Sequence, residues 1–204
     1  MNIVLIGIQG CGKGTLVSGL EQHFDFDLIS VGQLLRDEVA TGSELGKHIK
    51  EIQANGQLVE LETVMKAVNN KLNSSTKKIR IFDGFPRSSE QADELDKITN
   101  VDLVLHLILS KEVAVDRILN RLTCKDCGHI TNKQEVSSNV CPNCGGVLTV
   151  RVDDNLETIN KRFEQYQKET EPILERYKAR GVVVDIDANR TPNEVLASVL
   201  KVIK

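Results

Sequence analysis

The sequence of 204 residues contains no tryptophan, and only 3% of its residues are aromatic. Its apolar core must therefore be built from valine, isoleucine and leucine. Charge of neither sign dominates, since 26 basic and 29 acidic residues give a net charge of −3. This balance argues against a protein that binds nucleic acid through a basic surface. No apolar run reaches the roughly 18 residues of a membrane span, so no membrane partner is expected.

The amino terminus also lacks the basic segment and the small-residue cleavage site that mark a signal peptide. Nothing else in the sequence directs the chain out of the cell, and we expect a cytoplasmic protein. The length suits one domain with insertions, large enough to bury a sizeable core.

Apolar, β-branched runs alternate with segments of helical periodicity. This alternation predicts an α/β fold in which helices cover both faces of a parallel sheet. Two stretches interrupt it, a helical insert at residues 30–59 and a polar, turn-rich hairpin at residues 120–154, which leaves residues 1–29, 60–119 and 155–204 for the core. The predicted strands are Asn2–Ile6, Asp27–Ile29, Ile79–Phe82, Val101–Leu109 and Val182–Ile186. The predicted helices are Leu16–Phe24, Gly32–Val39, Leu45–Asn55, Glu60–Leu72, Ser89–Ile98, Glu112–Leu122, Leu156–Arg180 and Pro192–Ile203.

Glycine is concentrated directly after the first predicted strand, in the segment Gly7-Ile8-Gln9-Gly10-Cys11-Gly12-Lys13-Gly14-Thr15. The pattern G-x-x-x-x-G-K between a strand and a helix is typical of a phosphate-binding loop (P-loop). Its backbone N–H groups hold phosphates, and its lysine reaches the outer ones. The alternative is a glycine-rich turn that binds nothing. The hydroxyl that generally follows the lysine is one residue later, at Thr15.

Four of the five cysteines form two C-x-x-C pairs that are separated by 13 residues: Cys124 with Cys127, and Cys141 with Cys144. Two such pairs, each followed by glycine, predict a closed four-sulfur zinc site with a structural role. Two disulfides or a redox dithiol are the alternatives, and disulfides are disfavoured in a cytosolic chain. The fifth cysteine, Cys11, is interpreted as a small residue in the tight P-loop, with chemical reactivity as a second possibility.

Another chemical motif follows the strand at residues 79–82, which leads into Asp83 and then Gly84-Phe85-Pro86-Arg87. In P-loop enzymes an acid at this position holds Mg²⁺, directly or through water. A helix cap is the alternative for Asp83, and a solvated charge for Arg87. Further arginines stand near segment ends, and phosphoryl transfer between two polyanions requires several cations. The four histidines have no partner that would make a catalytic triad.

Over its length the chain resembles adenylate kinases that carry a zinc-bearing lid. The resemblance rests on an ordered set of motifs: Gly7–Thr15, Ile29–Arg36, Gly42–Gly46, Gly56–Val59, Asp83–Arg87 with Gln91, Asp116–Ile118 with Arg121, the four cysteines, Arg151–Asn155 and Lys161-Arg162. It implies a P-loop core, an insert that binds the nucleoside monophosphate (NMP), and a lid that closes over ATP. The implied reaction is reversible transfer of the terminal phosphoryl group of ATP to AMP with Mg²⁺, giving two ADP, in a monomer.

The resemblance also implies roles for individual residues. Those implied to bind ATP are Gly10, Cys11, Gly12, Lys13, Gly14, Thr15, Arg117, Arg121, Ile130, Thr131 and Arg190. Those implied to bind AMP are Val31, Arg36, Gln57, Leu58, Val59, Gly84, Phe85, Pro86, Arg87, Gln91, Arg151 and Arg162. The implied catalytic cations are Lys13, Arg87, Arg121, Arg151 and Arg162, and Asp83 is implied to hold magnesium through water.

Three positions depart from the family pattern. Gln9 replaces a proline in the P-loop, Val31 replaces a threonine whose hydroxyl helps to bind AMP, and Thr131 replaces an aromatic residue of the lid. Competing functions are therefore a kinase of other base specificity (UMP or CMP as acceptor, or GTP as donor) and a non-catalytic nucleotide-sensing or nucleic-acid-binding zinc protein. The hairpin at residues 120–154 has no aromatic residue on which bases could stack, which disfavours a nucleic-acid partner.

Overall fold

Five parallel strands form the central sheet of the computed structural model, which describes residues 1–203. A second, antiparallel sheet has the order β6-β5-β7, and the parallel sheet has the order β2-β3-β1-β4-β8. The strands are β1 (Asn2–Ile6), β2 (Phe26–Ser30), β3 (Ile79–Asp83), β4 (Leu103–Ile108), β5 (Arg121–Cys124), β6 (Ile130–Asn132), β7 (Leu148–Thr149) and β8 (Val183–Asp187). The prediction of an α/β fold with a parallel sheet is confirmed.

Helices cover both faces of the parallel sheet, as the sequence predicts. They are α1 (Lys13–Leu20), α2 (Val31–Ala40), α3 (Glu44–Ala54), α4 (Leu61–Asn73), α5 (Ser89–Ile98), α6 (Lys111–Leu119), α7 (Leu156–Gln165), α8 (Glu171–Ala179) and α9 (Pro192–Leu200). None of the helices within residues 1–203 is both long and apolar enough to cross a membrane.

The central strand β1 supplies both apolar cores. Ile3 and Leu5 pack in one cluster with side chains of α1, α6, α7 and α9, whereas Val4 and Ile6 pack in another with side chains of α2, α3, α4, α5 and α8. Successive side chains of a strand point to opposite faces, and a sheet buried on both faces requires apolar residues at every position. Burial on both faces explains why β1 is a continuous apolar run without alternation.

Parallel register brings the loops after neighbouring strands to one edge of the sheet. Leu5 of β1 is opposite Asp83 of β3 on one side and Leu105 of β4 on the other. The P-loop after β1 therefore emerges beside the segment that follows Asp83. Ligands of open α/β sheets bind at this carboxyl edge, so the register fixes where the functional site must lie.

Four predicted helices differ from the structure by three residues or more, and the last of them, Pro192–Ile203, ends at Leu200. α1 ends at Leu20, four residues earlier than predicted. The prediction that a helix continues to Leu122 is wrong, because Arg121 and Leu122 pair with β6 in the antiparallel sheet. The predicted helix Leu156–Arg180 is divided by a π-helical turn at Tyr166–Thr170. Pro172 in the first turn of α8 accounts for this division, because proline has no N–H and its ring clashes with the carbonyl four residues earlier.

Candidate functional site

The P-loop turns at two glycines that have positive φ angles, Gly10 at 85° and Gly12 at 91°. A Cβ atom at Gly10 would also lie 2.8 Å from the carbonyl oxygen of Ala114, so this position excludes any larger residue. Gly12 is the N-cap of α1 and offers no side chain to bond the first N–H groups of the helix. Those N–H groups and the positive end of the helix dipole remain available to an anion.

Lys13 lies folded over the loop from which it starts. Its Nζ atom donates to the carbonyl oxygens of Gly7 at 2.8 Å and Ile8 at 3.1 Å, and lies 3.3 Å from Cys11 Sγ. Cys11 is buried and packs close to Gly7. This placement fits its interpretation as a small residue in a tight space. The ammonium group is held by two neutral carbonyl groups and one sulfur atom, which are weaker partners for a cation than an anion is.

A second anion site lies at the N-terminus of α2. The hydroxyl of its N-cap, Ser30, donates to Asp83 Oδ2 at 3.2 Å and does not cap the helix. A Cβ atom at Gly32 would lie 3.3 Å from one guanidinium nitrogen of Arg36 and 3.9 Å from one of Arg87. Two arginines and the uncapped N–H groups of a helix therefore face the same space, which is suited to a phosphate.

The cleft around these two arginines lowers their pKa. Loss of hydration is the largest cause of the lowered pKa for both arginines. The positive charge of Arg121 also lowers the pKa of Arg36, and that of Arg162 lowers the pKa of Arg87. Arg87 is exposed to solvent, and a ligand can therefore reach its guanidinium group. Guanidinium groups stay charged at neutral pH, and the carboxylates of Asp153 and Asp83 for Arg36, and of Asp83 for Arg87, oppose the lowering. An anion bound here would interact favourably with both guanidinium groups.

Three further arginines belong to the hairpin and the helix after it. Arg121 makes a two-pronged ion pair with Asp154 at 2.9 and 2.5 Å, and Arg162 pairs with Asp153 at 2.5 Å. Within residues 1–203 Arg151 has no carboxylate partner of this kind; its Nε donates to the hydroxyl of Thr123 at 3.0 Å. Its pKa is lowered to about 10, first by burial and then by the charges of Arg121 and Arg36.

The acids beside these arginines were not among the predicted site residues. Burial would raise the pKa of Asp153, but the charge of Arg162 and its hydrogen bond bring that pKa below its usual range. The Asp154 side chain is fully buried against Arg121. The signal for this role is present in the sequence, since the two acids follow Arg151 after the single residue Val152, in one predicted motif.

The antiparallel hairpin and the helical insert both contact the rest of the site. A Cβ atom at Gly14 would lie 3.3 Å from the side chain of Ile130, so the hairpin strand β6 covers the P-loop. The helical insert contacts α7. A Cβ atom at Gly56 would lie 3.1 Å from the side chain of Lys161, and Arg162 donates to the carbonyl oxygen of Gln53 at 3.5 Å. The hairpin therefore borders the P-loop, and the helical insert borders α7.

Comparison with known proteins identifies the family to which a chain with this site belongs. The adenylate kinase family model matches residues 5–182. The adenylate kinase of Pseudothermotoga lettingae is 37% identical over the whole chain and 98% of its own length. That of Caldanaerobacter subterraneus subsp. tengcongensis is 37% identical over 98% of the chain and 95% of its own length, and that of Methanosarcina acetivorans is 38% identical over 93% and 92%.

The chain belongs to the adenylate kinase family. Its function is that of an adenylate kinase, and it is accordingly a phosphotransferase, as the sequence analysis expects. Membership also confirms the expected fold class, a P-loop core with a helical insert and a lid bearing four cysteines.

The other residues to which the family resemblance assigns a role differ in burial and in their contacts. Gln91 is buried and its Oε1 accepts from the N–H of Arg87 at 2.8 Å, so it supports the arginine that follows β3. Arg190 is ion-paired with Asp187 at 3.1 Å in an exposed turn, and no contact places it at the P-loop. Val31, Val59, Phe85 and Pro86 are buried, whereas Arg117, Leu58 and Thr131 are partly exposed and Gln57 and Thr15 are exposed.

The four lid cysteines of this adenylate kinase form one cluster. All four sulfur atoms lie within 4.8 Å of one another, with Cys124 and Cys144 at 3.5 Å and Cys127 and Cys141 at 3.7 Å. Four thiolates around one zinc at about 2.3 Å would lie about 3.8 Å apart, so the cluster has the right size. All five cysteines of the chain are free, which excludes the alternative of two disulfides in this structure.

The electrostatics of the cluster fit a cation. The backbone N–H of His129 and the side chain of Asn143 lower the pKa of Cys127 to about 6. The N–H of Gly146 likewise favours the thiolate of Cys144, but the neighbouring Cys127 and Cys124 outweigh it and raise that pKa to about 12. A group of four thiols can lose all its protons only if a positive ion balances the charge.

Proposed function

We propose that the chain transfers the terminal phosphoryl group of Mg-ATP to AMP, giving two ADP, and catalyses the reverse reaction. The observation that carries this proposal is the pair of anion sites at the N-termini of α1 and α2, with five arginines around the space between them. One polyanionic substrate at each site would bring donor and acceptor phosphates together. Holding both reactants in one geometry supplies much of the acceleration of such a reaction.

The donor nucleotide is proposed to bind on the P-loop side. Lys13 would exchange its bonds to the carbonyls of Gly7 and Ile8 for the outer phosphates, and α1 would supply backbone N–H groups. The full proposed ATP set is Gly10, Cys11, Gly12, Lys13, Gly14, Thr15, Arg117, Arg121, Ile130, Thr131 and Arg190. Ile130 lies against Gly14, which supports a lid contact over the bound phosphates.

The acceptor is proposed to bind at α2. Arg36 and Arg87 would take its phosphate over Gly32, and the backbone of residues 57–59 would line its pocket. Gln91 can donate and accept at once, which suits an adenine edge. The remaining proposed members of the AMP set are Val31, Gly84, Phe85, Pro86, Arg151 and Arg162.

Charge and position perform the chemistry in this proposal. Lys13, Arg87, Arg121, Arg151 and Arg162 would stabilise the negative charge that spreads over the transferring group. Asp153 and Asp154 hold two of these arginines in place. Asp83, beside Ser30 at the end of β3, would position Mg²⁺ through water, and the ion when bound neutralises phosphate charge.

The division of the chain follows from these roles. We propose a core of residues 1–29, 60–119 and 155–204, an NMP-binding insert of residues 30–59 and a lid of residues 120–154 that holds structural zinc on Cys124, Cys127, Cys141 and Cys144. We further propose a cytoplasmic monomer with no nucleic-acid partner.

A coupled assay across AMP, UMP, CMP and GMP with ATP or GTP as donor tests the proposal. We expect rapid turnover only with ATP and AMP. Preference for UMP, CMP or GTP would establish a kinase of other base specificity, and no turnover with any pair would favour the non-catalytic alternative.

The AMP contact missing at Val31 gives a further prediction. Val31→Thr should lower the Michaelis constant for AMP about two- to tenfold, since one neutral hydrogen bond contributes roughly 0.5–1.5 kcal/mol. The Michaelis constant for ATP should not change. Because Val31 is buried in the apolar cluster with Val59 and Phe85, the same hydroxyl should lower the thermal stability of the nucleotide-free protein.

Steady-state kinetics with each substrate varied in turn would check this, and Val39→Thr, at a partly buried site later in α2, provides the matched control. An unchanged AMP constant would show that another group already makes the contact. A change in the ATP constant instead would reverse the placement of the two nucleotides.

A further inference from the structure

Gln9 of the P-loop carries two buried polar atoms that have no partner. Neither Nε2 nor Oε1 of its side chain has a hydrogen bond within residues 1–203, and both are sealed from solvent. The residue as a whole is only partly buried, so its exposed atoms belong to the backbone and the aliphatic stem. A buried amide without partners costs free energy of folding, and such groups in native structures call for a reason.

The groups of the loop bear on the donor half of this amide, its Nε2 atom. Gln9 follows Ile8, whose carbonyl oxygen accepts from Lys13 Nζ at 3.1 Å, and precedes Gly10, whose α-carbon packs against α6. The uncapped N–H groups of α1 and the ammonium group of Lys13 are donors, and the carbonyl oxygens of Gly7 and Ile8 already accept from that lysine. The Nε2 of Gln9 needs an acceptor, and a phosphate chain brings many acceptors to this loop.

We propose that Gln9 contacts the donor nucleotide, with its side-chain amide donating through Nε2 to an oxygen of the phosphate chain. The amide turns out of its buried position when the nucleotide binds, and the donor-rich loop gains one further neutral donor. This proposal rests on the proposed function, since it places the ATP phosphates on the P-loop. The proline of the family pattern has no side-chain donor, so the contact is specific to chains with glutamine at this position.

The test compares Gln9→Met with the wild-type protein, using the β,γ-imido analogue of ATP with Mg²⁺ as probe. Methionine has a similar length and no strong hydrogen-bonding group. We expect the melting temperature of the nucleotide-free variant to rise by about 2–4 °C, since each kcal/mol shifts a domain of this size by that amount. We expect the dissociation constant of the analogue to increase about tenfold or more, as for hydrogen bonds to charged groups.

Gln22→Met, at an exposed glutamine beyond α1, is the matched control and should change neither quantity. Gln9→Ala is the second variant if Gln9→Met does not fold. A dissociation constant equal to that of the wild type would overturn the proposal, because no nucleotide contact would have been lost. A lower melting temperature of the nucleotide-free Gln9→Met protein would also overturn it, because the amide would then have a stabilising partner already.

Failure of the proposed function would look different. A wild-type protein that binds the analogue but does not convert ATP and AMP into ADP contradicts the proposed reaction and leaves the Gln9 comparison intact. A wild-type protein that turns over normally, with a Gln9→Met variant equal to it in stability and in affinity for the analogue, contradicts only the role of Gln9.

Discussion

Lys13→Met should lower turnover of ATP and AMP by a factor of about 100 to 1,000 while the protein stays folded. Removal of one preorganised group that stabilises transition-state charge has an effect of this size. Within residues 1–203 the ammonium group is hydrogen-bonded to two carbonyl oxygens and one sulfur atom. It therefore contributes little to folding, and its main partner is expected to be the substrate.

The measurement is a coupled assay together with a thermal melt. Methionine is unbranched and uncharged and is only one heavy atom shorter than lysine. Lys66→Met, on the exposed side of α4, controls for the loss of one positive charge. The melting temperature should change by only a few degrees, since the first N–H groups of α1 and the glycine turns remain. Near-normal turnover of Lys13→Met would show that another cation neutralises the transferring group.

The parts of this fold that the sequence predicts are those that local patterns encode. The P-loop is one continuous segment, and the two cysteine pairs carry their spacing with them. The apolar runs of β1 and β4 predict burial on both faces, and the two apolar clusters confirm it. In each case the residues that act together are close in sequence, or their side-chain chemistry is compatible with few kinds of site.

The remaining features depend on contacts between distant residues. Arg121 and Asp154 are 33 positions apart in the sequence and form an ion pair in the structure. Arg121 continues the helical periodicity of α6, so the sequence does not predict that it belongs to β5. The π-helical turn before α8 follows from Pro172, but its exact position depends on packing against Arg87, whose carbonyl oxygen accepts from Thr170. The missing partners of the Gln9 amide can be seen only in three dimensions.

Loss of zinc should unfold the lid and leave the core sheet intact. The lid has a very small apolar core, made of Leu122, Cys124, Cys141 and Leu148 with Val136 packed against them. Two of its four buried members are themselves proposed zinc ligands. Such a core cannot offset the conformational entropy of some 35 residues at roughly 1–2 kcal/mol each. Metal binding must supply the difference, and at structural sites its free energy is folding free energy.

Cys127→Ser should therefore lower zinc content from about one ion per chain to well below one, and should lower turnover strongly. Ile130, Arg121 and Arg151 all lie in or beside the lid sheet, so the cover of the P-loop and two cleft arginines lose their positions together. Hydrogen exchange should accelerate mainly within residues 120–154, while the amides of β1, β3 and β4 stay protected. Metal analysis checks the zinc content, and hydrogen exchange checks the unfolding of the lid. The control is Cys11→Ser, outside the cluster, which should retain one zinc. Wild-type protein purified without chelator that contains four free lid thiols, no zinc and a protected lid would contradict the role of the metal.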